Sequence, residues 1–232
     1  MITALGMAEF KALVRNRTAA VLAFAMPLAM GVYFAAVAGD ADAWTFIVAL
    51  QLLCTMGFTA HMTTTTSLTA RRQDHYLKRL RTGLASDAVV LTGVVLPAAL
   101  LSLAQAVLLV GVSVVAGAPL PGRPDLLLAA IAGGVLASVL AGIATSGLTA
   151  TAELAQITTT PFFAALLGGG LWVVNSTDAR ALALPGGAVA ELVAAAWGGG
   201  GGRLALAGLS LLGWAVAGAA LSVRLFRWDA RS

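Results

Sequence analysis

Six apolar runs separated by short charged links limit this chain more than any other feature of its sequence. They occupy 18–38, 44–69, 88–116, 126–150, 158–174 and 204–223. A helix that crosses a bilayer needs about 20 apolar residues, and each run reaches or approaches that length. Hydrophobic residues make up 59% of the 232-residue chain and charged residues only 10%. Soluble domains carry roughly 25% charge, so a globule of this size could not cover its surface with what is available here. A soluble enzyme, a disordered tail and a coiled coil are excluded on that ground. The expected fold is all-α: one polytopic transmembrane domain over 1–232, with six membrane-spanning helices.

The first 17 residues differ from the rest. Met7, Phe10, Leu13 and Val14 fall on one side of a helix, with Glu9, Arg15 and Asn16 elsewhere. The spacing predicts an amphipathic helix lying on the membrane surface. A signal peptide is the competing reading, and Ala36-Val37-Ala38 resembles a cleavage site. However, the apolar run 18–38 has 21 residues, against about 7–15 in a signal sequence. The uncleaved helix is therefore expected.

Lysine and arginine fix the orientation. The N-terminus, the second-to-third link, the fourth-to-fifth link and the C-terminal tail together hold eleven of the fourteen; Arg123, Arg180 and Arg203 lie in the other links. Both termini are expected in the cytoplasm, a parity that six spans satisfy. The net charge of +4 sits in short clusters between spans, which points to lipid and topology, with no nucleic-acid partner.

Candidate chemistry is sparse. The single cysteine, Cys54, excludes an intrachain disulfide. No His-x-x-x-His, Cys-x-x-Cys or acidic pair suggests a metal site. The glycine run 198–202 lacks the lysine and hydroxyl residue of a phosphate-binding loop, so the chain itself is not expected to hydrolyse ATP. In the fourth run, Gly134, Ser138, Gly142 and Ser146 repeat every four residues, a stripe that permits close helix approach. The second run is unusually polar. Thr55, Thr59, Thr63 and Thr66 share a face, and His61 is a titratable residue within a span. They can line a substrate route or bond between helices. Both readings stand at this stage. Met56, Thr59, His61, Thr63 and Thr66, with Thr159, Phe162 and Phe163 from the start of the fifth run, are the candidate path residues.

The densest charge cluster, Arg71-Arg72-Gln73-Asp74-His75-Tyr76-Leu77-Lys78-Arg79-Leu80-Arg81, has Tyr76, Leu77, Leu80 and Leu84 on one helical face. Such a segment can lie along the membrane, dock on a partner or simply set topology. Its Leu77-Lys78-Arg79-Leu80-Arg81 core resembles the coupling segment of permease subunits in the type-2 ABC exporter family. That family's pattern often reads Arg-Glu-x-Gly-Thr-Leu-x-Arg-Leu-Arg-Thr-Pro-Leu. Here Gln73 replaces the acid, His75-Tyr76 replaces Gly-Thr, and the proline is missing. The stretch Phe10 to Arg17 followed by an apolar run with Pro27, and the long stretch 175–203 between the last two spans, also resemble that family.

The resemblance implies an interfacial helix over 1–17 and a cytoplasmic coupling segment over 70–87 between spans two and three. It also implies an extracytoplasmic re-entrant region over 175–203. The partners would be two copies of an ABC ATPase subunit carrying ATP and Mg, a second permease copy or homologue, and membrane lipid. The chain would bind no cofactor of its own. The location would be a bacterial cytoplasmic membrane and the cargo hydrophobic or amphipathic, such as a drug, antibiotic or lipid. In that family spans two and five of the two permease halves meet near the central axis, so the resemblance further suggests that the two threonine-rich segments face each other there. Two other classes stay open: a secondary transporter or channel working alone, and a membrane assembly protein without transport.

Overall fold

The computed structural model describes residues 2–38, 43–81, 86–199 and 202–228. The acidic turn with Asp40 and Asp42, residues 82–85 of the expected coupling segment, and Arg231 lie outside them. Helix α1 is Ile2–Arg15. Helix α2, residues 17–36, is built from Arg17–Ala20, a π-helical turn Val21–Ala25 and Met26–Ala36. Helix α3 runs continuously over Ala43–Gln73, with a second π-helical stretch at Met56–Met62. After a two-residue turn comes the short α4, Tyr76–Arg81. Helices α5, Asp87–Val115, and α6, Pro124–Leu148, follow. Helix α7 is Ala155–Asn175. A 3-10 turn over Ala179–Ala183 leads to α8, Pro185–Ala196, and α9 is Leu204–Leu225.

Among the described residues, α3, α5, α6, α7 and α9 are long and apolar enough to cross a membrane. The protein is a multi-pass membrane protein. The first expected span appears as the three-part α2. The second extends past Thr69 to Gln73, so Arg71, Arg72 and Gln73 form its last turn.

Pro27 explains the irregular α2. Proline has no N–H, so the carbonyl four residues earlier loses its helical donor. That carbonyl is Ala23's, and within a membrane it must find another. Gln105 of α5 donates to it through Nε2 at 2.8 Å, and the Thr59 hydroxyl of α3 lies 2.9 Å away. Thr59 is also 2.6 Å from Gln105 Oε1, so its single hydrogen serves one of the two acceptors at a time. Farther along α2, Gln51 donates to the Gly31 carbonyl at 2.8 Å, and Ser113 donates to Gln51 at 2.9 Å. Two polar knots thus join α2, α3 and α5.

The small-residue stripe of α6 packs against α3. A Cβ on Gly142 would stand 2.8 Å from the His61 carbonyl oxygen and 2.9 Å from Thr64 Cβ. Ser138 and Ser146 are fully buried. Helix α8 is buried in the bundle; Gly186 and Gly187 meet the Leu166 and Ala181 carbonyl oxygens where no Cβ would fit. Its Glu191 pairs with Arg203 at 2.7 Å, and Arg203 also donates to the Thr177 carbonyl at 2.9 Å. This ties α8 to the start of α9.

Gln105→Leu should lower stability by about 1–2 kcal/mol, the cost of a buried carbonyl left short of a donor. Pro27→Ala restores a backbone N–H for Ala23 and should recover part of that loss. Equilibrium unfolding of the two single variants and the double variant in detergent checks this; an additive double would contradict it.

Candidate functional site

The end of α3 that carries Arg71, Arg72 and Gln73 joins three other parts of the fold. Each residue of its last turn reaches a different element. Arg71 Nε donates to Glu9 Oε2 of α1 at 2.8 Å, and its guanidinium lies 5.4 Å from the centre of the Tyr76 ring. Arg72 is only 1% exposed. It donates through Nη1 to the Ser146 carbonyl at 2.9 Å and through Nη2 to the Thr149 carbonyl. These carbonyls end α6, where helical donors run out and the helix dipole favours a cation. Gln73 Oε1 accepts from the Ala152 backbone N–H at 2.9 Å, in the link to α7. In that link, the Thr149 and Thr158 hydroxyls lie 2.7 Å apart.

The segment 71–81 is therefore not a single amphipathic helix with its basic residues outward. It is a helix end, a turn at Asp74-His75 and a six-residue helix. His75 takes a left-handed φ of +54°, a conformation uncommon outside glycine. Leu77 is fully buried and Leu80 packs against the core, so neither offers an open docking face. Asp74, His75 and Arg79 are exposed, and Arg79 donates to the Asp74 carbonyl at 3.2 Å. The side chains of Lys78 and Arg81 lie outside the described residues.

The hydroxyls of α3 bond mainly to nearby carbonyls. Thr63 donates to Phe58 O at 3.1 Å and Thr66 to Met62 O at 2.9 Å. Thr65 lies within reach of His61 O and Gly142 O. Met56, Thr59 and His61 are enclosed. His61 Nδ1 is 3.3 Å from the Ser138 carbonyl, and its ring lies 4.4 Å from that of Phe162, which in turn meets Trp214 at 5.8 Å. Phe163 packs on Phe58 at 4.7 Å and covers Gly57, where no Cβ would fit. Thr159 is buried and donates to Ala155 O at 2.6 Å. Within one chain, α3 and α7 meet through these rings and through Leu53, which packs on Gly170.

A cavity of about 570 Å3 opens between α1, the end of α3 and the α6–α7 link. Of the candidate path residues, Thr63 and Thr66 line it; Met56, Thr59, His61 and Thr159 are buried in the bundle, and Phe162 and Phe163 are half-buried. Among the described residues, no group of three or more His, Cys, Asp or Glu could hold a metal ion.

A family model described as ABC-2 type transporter matches residues 1–180. The chain belongs to the ABC-2 type transporter family. No curated protein and no solved structure matches it. Membership makes this ABC-2 chain a transmembrane subunit of an ABC transporter and implies partnership with an ABC ATPase. The matched part holds α1 to α7, including the three ties of the α3 end.

Sequence reasoning missed Glu9, Gln105, Ser146 and Thr149 as partners. Glu9 is the acid of the first helix and Gln105 an amide deep in an apolar run; both carried a readable signal, a costly polar group with no local partner. The carbonyls of residues 146 and 149 carried none, because any residue has one.

Glu9 is an acid in a poor environment. Burial raises its carboxyl above the ordinary value of 4.5, against the opposing pull of Arg71. A raised acid binds more protons when folded, so its contribution to stability declines as pH rises above 4.5. Glu9→Gln should therefore be nearly neutral at pH 7. Arg71→Ala leaves the buried carboxylate unpaired and should cost about 3 kcal/mol, most of it recovered in the double variant. Thermal unfolding of the three proteins checks this ordering.

Proposed function

We propose that this ABC-2 chain is the membrane subunit of an ATP-driven exporter, moving a hydrophobic or amphipathic compound such as a drug, antibiotic or lipid out of the cytoplasm. Two permease subunits, identical or homologous, join two ATPase subunits. ATP and Mg bind on the ATPases; this chain is non-catalytic. It resides in a bacterial cytoplasmic membrane, with α2 as the first of six spans and both termini inside.

The observation that carries this reading is the triple tie at the end of α3. Arg71 holds α1, Arg72 holds α6 and Gln73 holds the link to α7. The Asp74-His75 turn and Arg79 project beside those ties and form the surface offered to the ATPase. A push on that turn reaches α1, α3, α6 and α7 together, because packed elements transmit displacement as rigid bodies. The path candidates themselves are threonines, His61 and apolar side chains; none is a carboxylate or a guanidinium.

The test uses the chain with its ATPase in proteoliposomes. A His75→Asn/Arg79→Glu variant alters exposed side chains, keeps a residue that tolerates the left-handed φ, and should insert like the parent. ATP-driven transport should fall at least tenfold, and ATPase activity should lose its response to substrate. Leu77→Asp should instead abolish folded protein. Normal coupled transport by the surface variant would remove this segment from the mechanism.

A further inference from the structure

The cavity beneath α1 is lined by more acidic than basic side chains: Glu9, Asp74 and Glu153 against Arg71. Its volume of about 570 Å3 falls in the range that small-molecule sites occupy. Glu9 comes from α1 and Asn16 from the residue after it, Thr63 and Thr66 from α3, Asp74 from the turn that follows α3, and Glu153 from the α6–α7 link. Thr63 and Thr66 have already given their hydroxyl hydrogens to Phe58 O and Met62 O. Each therefore presents lone pairs to the cavity. Ionised carboxylates likewise only accept. Glu153 is held below the ordinary carboxyl range by its own backbone N–H and the Thr151 hydroxyl, and stays ionised. Among the described lining residues Arg71 is the cation, and its Nε is engaged by Glu9. Leu13 and Met62 add apolar wall.

Asn16, Ser67 and Gln156 can donate as well as accept, so the preference set by this lining is one of charge: it favours a molecule with positive charge at one end and apolar surface at the other. We propose that the cavity binds amphiphiles carrying a protonated amine, with the ammonium set against Glu153, Asp74 and the threonine oxygens, and the apolar part against Leu13 and Met62. Naming the bound molecule as cargo rests on the exporter reading; the binding itself does not.

The test is a fluorescence titration of the purified chain in nanodiscs of neutral lipid, without ATPase. The probe is dansylcadaverine, a fluorescent primary amine, compared with its N-acetylated, uncharged form. The amine should bind at least tenfold more tightly than the acetylated probe. Glu153→Gln/Asp74→Asn, both at exposed positions, should remove most of that preference and leave the acetylated probe unaffected. Equal binding of the two probes by the unaltered chain overturns the proposal without any variant. So does full preference retained in the double variant. Absent amine binding beside intact ATP-driven transport sinks this inference alone. Amine preference beside a chain that never responds to ATP upholds the site and counts against the exporter reading instead.

Discussion

The Ala23 carbonyl, deprived of its helical donor by Pro27, must be satisfied inside a bundle that excludes water. Much of the packing of α2, α3 and α5 can be traced to that requirement. Water can bond such a carbonyl in a soluble protein; hydrocarbon cannot. Gln105 and Thr59 supply the replacement, and their positions fix both the register of α5 against α2 and the rotation of α3. Both π-helical stretches, Val21–Ala25 and Met56–Met62, lie at this knot, which suits a place where helical bonding gives way to bonds between helices.

The same rule operates at the cytoplasmic end. Helix α6 finishes with carbonyls short of helical donors: that of Ser146 has one long bond from the Thr149 N–H at 3.3 Å, and Arg72 enters the protein to meet it and the Thr149 carbonyl. A guanidinium buried at a helix C-terminus combines several donors with favourable interaction with the dipole. The consequence is mechanical. The end of α3 is locked to α6 and, through Arg71 and Gln73, to α1 and the α6–α7 link. Among the described residues beside these ties, Asp74, His75 and Arg79 stay exposed.

Most of the helices were legible because a membrane makes the signal coarse. Apolar length alone placed α5, α6, α7 and α9 within a few residues, and the stripe of Gly134, Ser138, Gly142 and Ser146 does pack closely, against α3. The end of α3 was not legible. A run of Arg71 and Arg72 beside charged neighbours reads as exposed, and only the three-dimensional arrival of α1 and α6 turns both residues inward. The threonines were ambiguous for the opposite reason: a hydroxyl can bond its own helix or line a path, and sequence does not distinguish the two. Thr63 and Thr66 do both, bonding their own helix while facing the cavity, whereas Thr59 is consumed by the proline knot. Helix α4 was visible as an apolar spacing, but Leu77 points into the core instead of towards a partner.

The claim on which the account turns is that α1, the end of α3 and the α6–α7 link move as one body. It is tested most directly by a pulsed spin-label distance measurement on the complex with its ATPase. Labels go at Lys11 of α1 and at Glu153 of the link, in a Cys54→Ser background, with and without ATP trapped by vanadate. The account predicts an unchanged distance between these labels within one chain, while the distance between Lys11 labels on the two permease subunits shifts. Separation of Lys11 from Glu153 within one chain on ATP binding would contradict it.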